Sequence, residues 1–163
     1  MDYSPGLRGV IAGETQISTV GMEGTSLRYR GYDAVGLTNT NTYEDVASLI
    51  IDDDLDGELF KKSFSNHYKK LSEDSGLIEL INRLKTEQHP MDVTRTAISY
   101  IGEANESNKL DAASKVTAIA CLAIASYNKE LSDVLDQKYT VASSLLPNSS
   151  TQQQLEALDD MLI

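Results

Sequence analysis

The sequence predicts a mainly α-helical bundle preceded by a small N-terminal antiparallel β element. Seven of the ten glycines fall within the first forty residues, where they separate short runs of β-formers. Beyond Thr40 the apolar residues recur at helical spacing, and capping signals mark the helix starts. No repeat or low-complexity tract interrupts the chain, and 163 residues amount to about one domain. A chain of this length buries about 70% of its unfolded surface, so it can carry a real core.

In chain order, Leu7–Ala12, Thr15–Val20 and Leu27–Tyr29 read as short strands with tight glycine turns. Thr42 and Asp45 form a capping box that starts a helix carrying Val46, Leu49 and Ile50. Asp52-Asp53-Asp54 ends that helix unfavourably, because anions oppose the negative end of the helix dipole. A second helix is expected to place Leu59, Phe60, Phe64, Tyr68 and Leu71 on one face, and a third Leu77, Leu80, Ile81 and Leu84. Pro90 suits the first position of a fourth, with Asp92 in its first turn and Met91, Ala97, Ile98 and Ile101 as its stripe. A long helix from about Asp111 to Leu131 would bury Val116, Ile119, Ala120, Ala123, Ile124 and Tyr127. Helical patterns at 138–146 and 151–163 flank the turn Pro147-Asn148-Ser149-Ser150. The last one carries Leu155, Leu158, Leu162 and Ile163 as an apolar stripe without a C-cap. That stripe is expected to meet a partner or further chain, and otherwise to drive self-association.

A net charge of −11 disfavours nucleic acid and anionic lipid, which need a basic face. The single cysteine, Cys121, lies in an apolar run and reads as a buried small hydrophobe in a reducing, cytoplasmic setting. The N-terminus lacks the pattern of a signal peptide. The longest uncharged apolar stretch, Val116–Asn128, is well short of the roughly 20 residues that span a bilayer.

Few residues suggest chemistry. His67, His89 and Cys121 do not make a zinc spacing. From Asp52, the calcium-loop pattern finds Gly57 at its sixth position but Ser63 at its twelfth, where a glutamate is required, so Asp52–Asp56 reads as a solvated turn. No metal ligand set is expected, and neither a nucleophile elbow nor a phosphate loop is present. His67 reads as a partly buried structural residue, and His89 as a capping or packing one. Arg8, Arg28 and Arg30 are the one basic spot, suited to phosphate.

Four segments in order resemble the citrate synthase family. They are Gly6-Leu7-Arg8-Gly9 running on to Ser18, Leu27-Arg28-Tyr29-Arg30-Gly31-Tyr32-Asp33, Tyr43-Glu44-Asp45-Val46-Ala47-Ser48-Leu49-Ile50, and His89-Pro90-Met91-Asp92-Val93-Thr94-Arg95-Thr96. Ser18-Thr19-Val20-Gly21 leans toward the 2-methylcitrate synthase branch without separating the two. The resemblance implies the N-terminal portion of a helical large domain: residues 1–163 as a single incomplete domain, β-rich over 1–40 and helical over 41–163.

It further implies an acyltransferase that condenses acetyl-CoA or propionyl-CoA with oxaloacetate in the tricarboxylic acid or methylcitrate branch. Such enzymes are homodimers. They need no cofactor beyond the acyl-CoA substrate, and they use an aspartate and two histidines as acid, base and enolate stabiliser. None of these three matches a residue here: the helix over 151–163 resembles the one that leads into the family's L-H-A-D-H-E motif, and His89 matches the non-catalytic H-P-M histidine. The chain alone is therefore expected to be inactive unless completed by further residues or a complementary subunit. Arg8 matches the arginine that contacts coenzyme A phosphate, whereas Arg28 and Arg30 read as structural. Departures stand at Ile51–Asp56, which lacks the family's G-x-L-P turn, at Tyr127-Asn128-Lys129, and at a shortened Glu103–Leu146. They keep open a non-catalytic, citrate-synthase-like protein that pairs with or regulates a full-length relative.

Overall fold

In a computed structural model, residues 6, 9–11, 13–20, 26–102, 108–128 and 139–163 are described, and they form three short strands and eight helices. The strands β1 (Ser18–Thr19), β2 (Arg28–Tyr29) and β3 (Tyr32–Asp33) pair antiparallel in the order β1-β2-β3. Ser18 faces Tyr29, and Tyr29 faces Tyr32 across the hairpin. The hairpin turn is Arg30–Gly31, with φ of 49° and 90°. Positive φ at both central residues is what matches a two-residue turn to the twist of its strands. Of the run expected as a strand at 7–12, residues 9–11 lie in no strand, and Leu7, Arg8 and Ala12 fall outside the described residues.

Asp33 closes the sheet and caps α1 (Ala34–Thr38), its carboxylate accepting the Gly36 amide at 2.9 Å. The capping box of Thr42 and Asp45 starts α2 (Tyr43–Asp52) as its spacing requires. The second oxygen of Asp45 accepts the Gly57 amide at 2.9 Å, tying the start of α2 to that of α3 (Glu58–Ser72). The α2 C-terminus is better satisfied than its aspartates suggest. Asp53 takes the left-handed conformation at φ 62°, so the turn forms without glycine. Arg30 reaches back from the hairpin, its guanidinium donating to the Ile50 carbonyl at 2.9 Å and standing 3.9 Å from Asp53. The cation that favours the end of the helix thus arrives from twenty residues upstream.

Helices α4 (Ser75–Leu84), α5 (Pro90–Ile101) and α6 (Lys109–Ala125) build the bundle around α3, with α3 and α6 its most extensive pair. Phe60, Phe64, Tyr68 and Leu71 meet Leu77, Ile81, Val93, Ala97, Ala118, Ile119 and Leu122 in one core. Two expected stripe members are corrected. Leu59 is 70% exposed and Met91 64% exposed. Leu59 precedes the i, i+4, i+8 row of Phe60 by one residue and so lies a hundred degrees off it. Val93, and not Met91, is the apolar anchor of α5. Of the stripe expected along the next helix, Ile119 and Ala123 are buried, but Val116, Ile124 and Tyr127 are partly exposed, and Leu110, Ser114, Ala118, Cys121, Leu122 and Ala125 are buried besides. A helix flanked by α2, α3, α5 and α7 is buried on most of its circumference and has no single stripe. It ends at Ala125 rather than near Leu131, which lies outside the described residues.

Helices α7 (Val141–Leu145) and α8 (Gln152–Leu162) complete the chain, each opened by a capping box, at Thr140/Ser143 and Thr151/Gln154. No residue of α8 is fully buried. Leu162 packs on the main core, and Ile163 on a second cluster of Leu37, Val46 and Leu49 beside Tyr29. The C-terminal stripe is therefore half covered by the protein's own residues, while Met161 is 82% exposed. None of the described helices is long and apolar enough to cross a membrane.

Candidate functional site

The starts of α2 and α7 and one face of α8 enclose a cleft of about 520 Å³. Its polar wall includes Asn39, Asn41, Thr42, Glu44, Ser143, Glu156, Asp159 and Asp160. Local sequence explains the convergence, because all three helices begin here or turn back here, and helix starts leave amide groups in need of acceptors. Glu44, only 1% exposed, accepts the Val141 amide, the first of α7, at 2.7 Å. Asp159 of α8 accepts the Tyr43 amide, the first of α2, at 3.1 Å. Each carboxylate thus satisfies an amide of another helix.

Burial pushes the Glu44 carboxyl above the ordinary carboxylate range, opposed by its bond from Val141 and reinforced by Asp159. Burial also raises Asp159, with Asp160 and Asp45 adding repulsion. For both acids the folded value is raised. Their contribution to stability is therefore complete below the unfolded carboxylate value and is lost as pH rises through the folded one. Glu44→Gln keeps an oxygen for the Val141 amide and removes the charge. Relative to wild type it should gain stability as pH rises from 4.5 to 8. Glu44→Ala orphans a buried amide and should lose about 1–3 kcal/mol at both pH values. Urea unfolding of the two variants at those pH values checks this, and an equal loss in both would contradict the assigned roles.

The basic spot expected at Arg8, Arg28 and Arg30 is only partly visible. Arg8 lies outside the described residues. Arg28 is exposed and donates to the Gly31 carbonyl at 3.4 Å. Arg30 is half-buried and committed to the end of α2, which makes it structural.

The histidines also sit in structural settings. His89 caps α5, its Nδ1 accepting the Met91 amide at 3.2 Å. His67 lies 2.9 Å from Asp111, which also accepts the Ser63 hydroxyl at 2.6 Å. Ser114 donates to Ser63 at 2.7 Å. Because Ser63 bonds to the carboxylate and not to the imidazole, this group does not activate a hydroxyl as a nucleophile–base pair would. It joins the start of α6 to α3, and the bonds from Ser63 and His67 hold Asp111 below the usual carboxylate range.

Cys121 is buried, as its apolar run implied. In the acidic turn, Asp54 accepts the Asp56 amide and Asp56 the Glu58 amide, so these carboxylates serve their own backbone. No group of three or more metal-ligating side chains converges among the described residues. Sequence reasoning missed Glu44 and Asp159. In the sequence Glu44 is an ordinary acid in a helix's first turn, and nothing local marks the partner amide 97 positions away.

Comparison with known proteins gives this arrangement its context. The family model described as citrate synthase, C-terminal domain, matches residues 6–163. A 2-methylcitrate synthase of Shewanella oneidensis is 41% identical over 116 residues, which cover 68% of this chain and 30% of that protein. The 2-methylcitrate synthase 2 of Corynebacterium glutamicum is 42% identical over 104 residues, or 62% of this chain and 27% of its own. The citrate/2-methylcitrate synthase of Bacillus subtilis is 34% identical over 103 residues, 61% of this chain and 27% of its own. Among solved structures, citrate synthase from the thermophilic archaeon Thermoplasma acidophilum, in complex with carboxymethyl coenzyme A and oxaloacetate, superposes with a TM-score of 0.74. That match has 15% identity and covers 93% of this chain and 44% of the other, so it speaks to fold alone. The chain thus spans about 30% of the length of the curated relatives it matches.

Proposed function

The chain belongs to the citrate synthase family, and from that premise we propose that it is the N-terminal portion of an acyltransferase that condenses an acyl-CoA with oxaloacetate. The observation that carries this reading is a family match running through residues 6–163 of a chain that spans about 30% of its relatives. The 41% and 42% identities to 2-methylcitrate synthases favour propionyl-CoA over acetyl-CoA.

Within this reading Arg8 contributes a contact to coenzyme A phosphate, through a charge-assisted bond of the kind guanidinium groups form with phosphate. The proton-transferring aspartate and the two histidines come from residues beyond these 163 or from a complementary subunit. The working enzyme is a cytoplasmic oligomer in which acyl-CoA is substrate and not a resident cofactor.

The test is thiol release from propionyl-CoA or acetyl-CoA with oxaloacetate. The 163-residue chain alone should release none. Coexpressed with the remaining portion of the Shewanella oneidensis relative, it should turn over. In that active pair Arg8→Ala should raise KM for acyl-CoA about tenfold or more, the loss of one charged hydrogen bond. Turnover by the chain alone would overturn the placement of the catalytic groups. A folded, assembled but inactive pair would favour the second reading, a non-catalytic relative, to which the departures at Ile51–Asp56 and Tyr127–Lys129 lend some weight.

A further inference from the structure

The position of α8 is a puzzle in energetic terms. A helix usually holds its place by burying an apolar face, yet no residue of α8 is fully buried, and an open cleft lies beneath its Gln152–Asp160 side. Besides the packing of Leu162 and Ile163 on the two apolar clusters, two polar bonds tie this segment to distant elements. In the last turn, the Asp159 carboxylate accepts the Tyr43 amide at 3.1 Å. At the end, the Tyr29 hydroxyl of β2 donates to the main-chain oxygen of Ile163 at 3.2 Å. Tyr29 itself is fixed from both sides: it pairs with Ser18 and Tyr32 in the sheet and packs on the cluster of Leu37, Val46 and Leu49, where Ile163 also rests.

We infer that Tyr29 and Asp159 are positioning residues that together hold the turn Asp159–Ile163 against β2 and the start of α2. The two bonds lie about one helical turn apart and lead to different elements, so together they restrain this turn more than either does alone. The small sheet thereby acquires a purpose that its two-residue strands would not explain, since a ribbon this short adds little stability of its own. It presents one phenol to the end of α8. The structural inference stands without any activity; its consequence for catalysis rests on the proposed acyltransferase reading, in which the chain leaving α8 enters the site.

The deciding experiment is residue-resolved amide exchange on this chain. In Tyr29→Phe, amides 158–163 should exchange roughly three- to tenfold faster, the effect of one lost hydrogen bond. Amides of α3 and α6 should be unchanged. Asp159→Ala should do the same for amides 155–163 and the Tyr43 amide, and Asp159→Asn, which keeps an acceptor oxygen, should restore protection. Unaltered exchange in α8, or equal acceleration in α3, would overturn the inference. In a completed, active synthase, Tyr29→Phe should lower kcat several-fold with KM for acyl-CoA unchanged. If the unmutated completed protein shows no turnover, the acyltransferase reading fails while the exchange result still stands.

Discussion

Phe64→Ala is expected to be the most damaging simple truncation, costing about 3–5 kcal/mol. Phe64 is fully buried on α3 where it meets α6, and its ring stacks on Tyr68 with centroids 5.8 Å apart. Tyr68 in turn lies 4.9 Å from the Tyr139 ring, so the vacated space opens at the end of an aromatic row whose other members are held by each other and by the core. Domains of this size hold about 5–15 kcal/mol in total, and the variant should therefore melt on the order of 10 °C lower or fail to accumulate. Leu59→Ala, on the same helix, truncates an apolar side chain that is 70% exposed, and it should shift stability by less than about 0.5 kcal/mol. Thermal unfolding of the pair is the measurement. Comparable losses would mean that the α3 face is rotated relative to the structure.

Gly57→Ala should also be severe, at about 2–3 kcal/mol, through crowding rather than through a cavity. Gly57 has φ of −81°, a value any residue adopts, so conformational freedom is not what it supplies. An added methyl group would stand 2.5 Å from the Glu44 carbonyl carbon and 2.5 Å from the Asp45 amide nitrogen. These are backbone atoms inside the capping box of α2, and they cannot swing aside as a side-chain tip can. Relief would pull the Gly57 amide from Asp45 and disturb Glu44, whose carboxylate holds the start of α7. Gly13→Ala is the control, because no atom lies within 4 Å of its added methyl and its φ is not positive. Elsewhere, replacing glycine by alanine at a compatible site stabilises by about 0.4–1 kcal/mol. Urea unfolding should therefore move the two variants in opposite directions. Matching changes would mean the approach of α3 to α2 is looser than 2.5 Å implies.

The sequence made legible whatever is written in neighbours a few residues apart. The capping box of Thr42 and Asp45, the start of α5 at Pro90 with His89 as its cap, the turn after Leu146 and the buried setting of Cys121 all rest on local chemistry, and all stand where spacing put them. Faces were legible only where a helix has one main neighbour. Phe60, Phe64, Tyr68 and Leu71 follow their period because α3 leans chiefly on α6. Met91 and Val116 did not follow theirs, because a period fixes which residues share a face but not which face the bundle covers. The four family-like segments carried the kinship, since they preserve side-chain identity and not merely pattern.

The candidate site was less legible than the fold. Arg30 was part of a basic spot in the sequence, and folding spends it on the end of α2. Glu44 was one acid among many, and folding makes it the most deeply buried carboxylate among the described residues. By itself, then, the sequence determined the class of fold, the starts of α2, α5 and α8, and the family, while α1 within the glycine-rich stretch went unread. Only the tertiary structure decided which carboxylates are buried, which amides they satisfy and how α8 is held. The reason is physical: caps and periods act over three or four residues, whereas Glu44 with Val141, Asp159 with Tyr43 and Tyr29 with Ile163 are joined across 97, 116 and 134 positions.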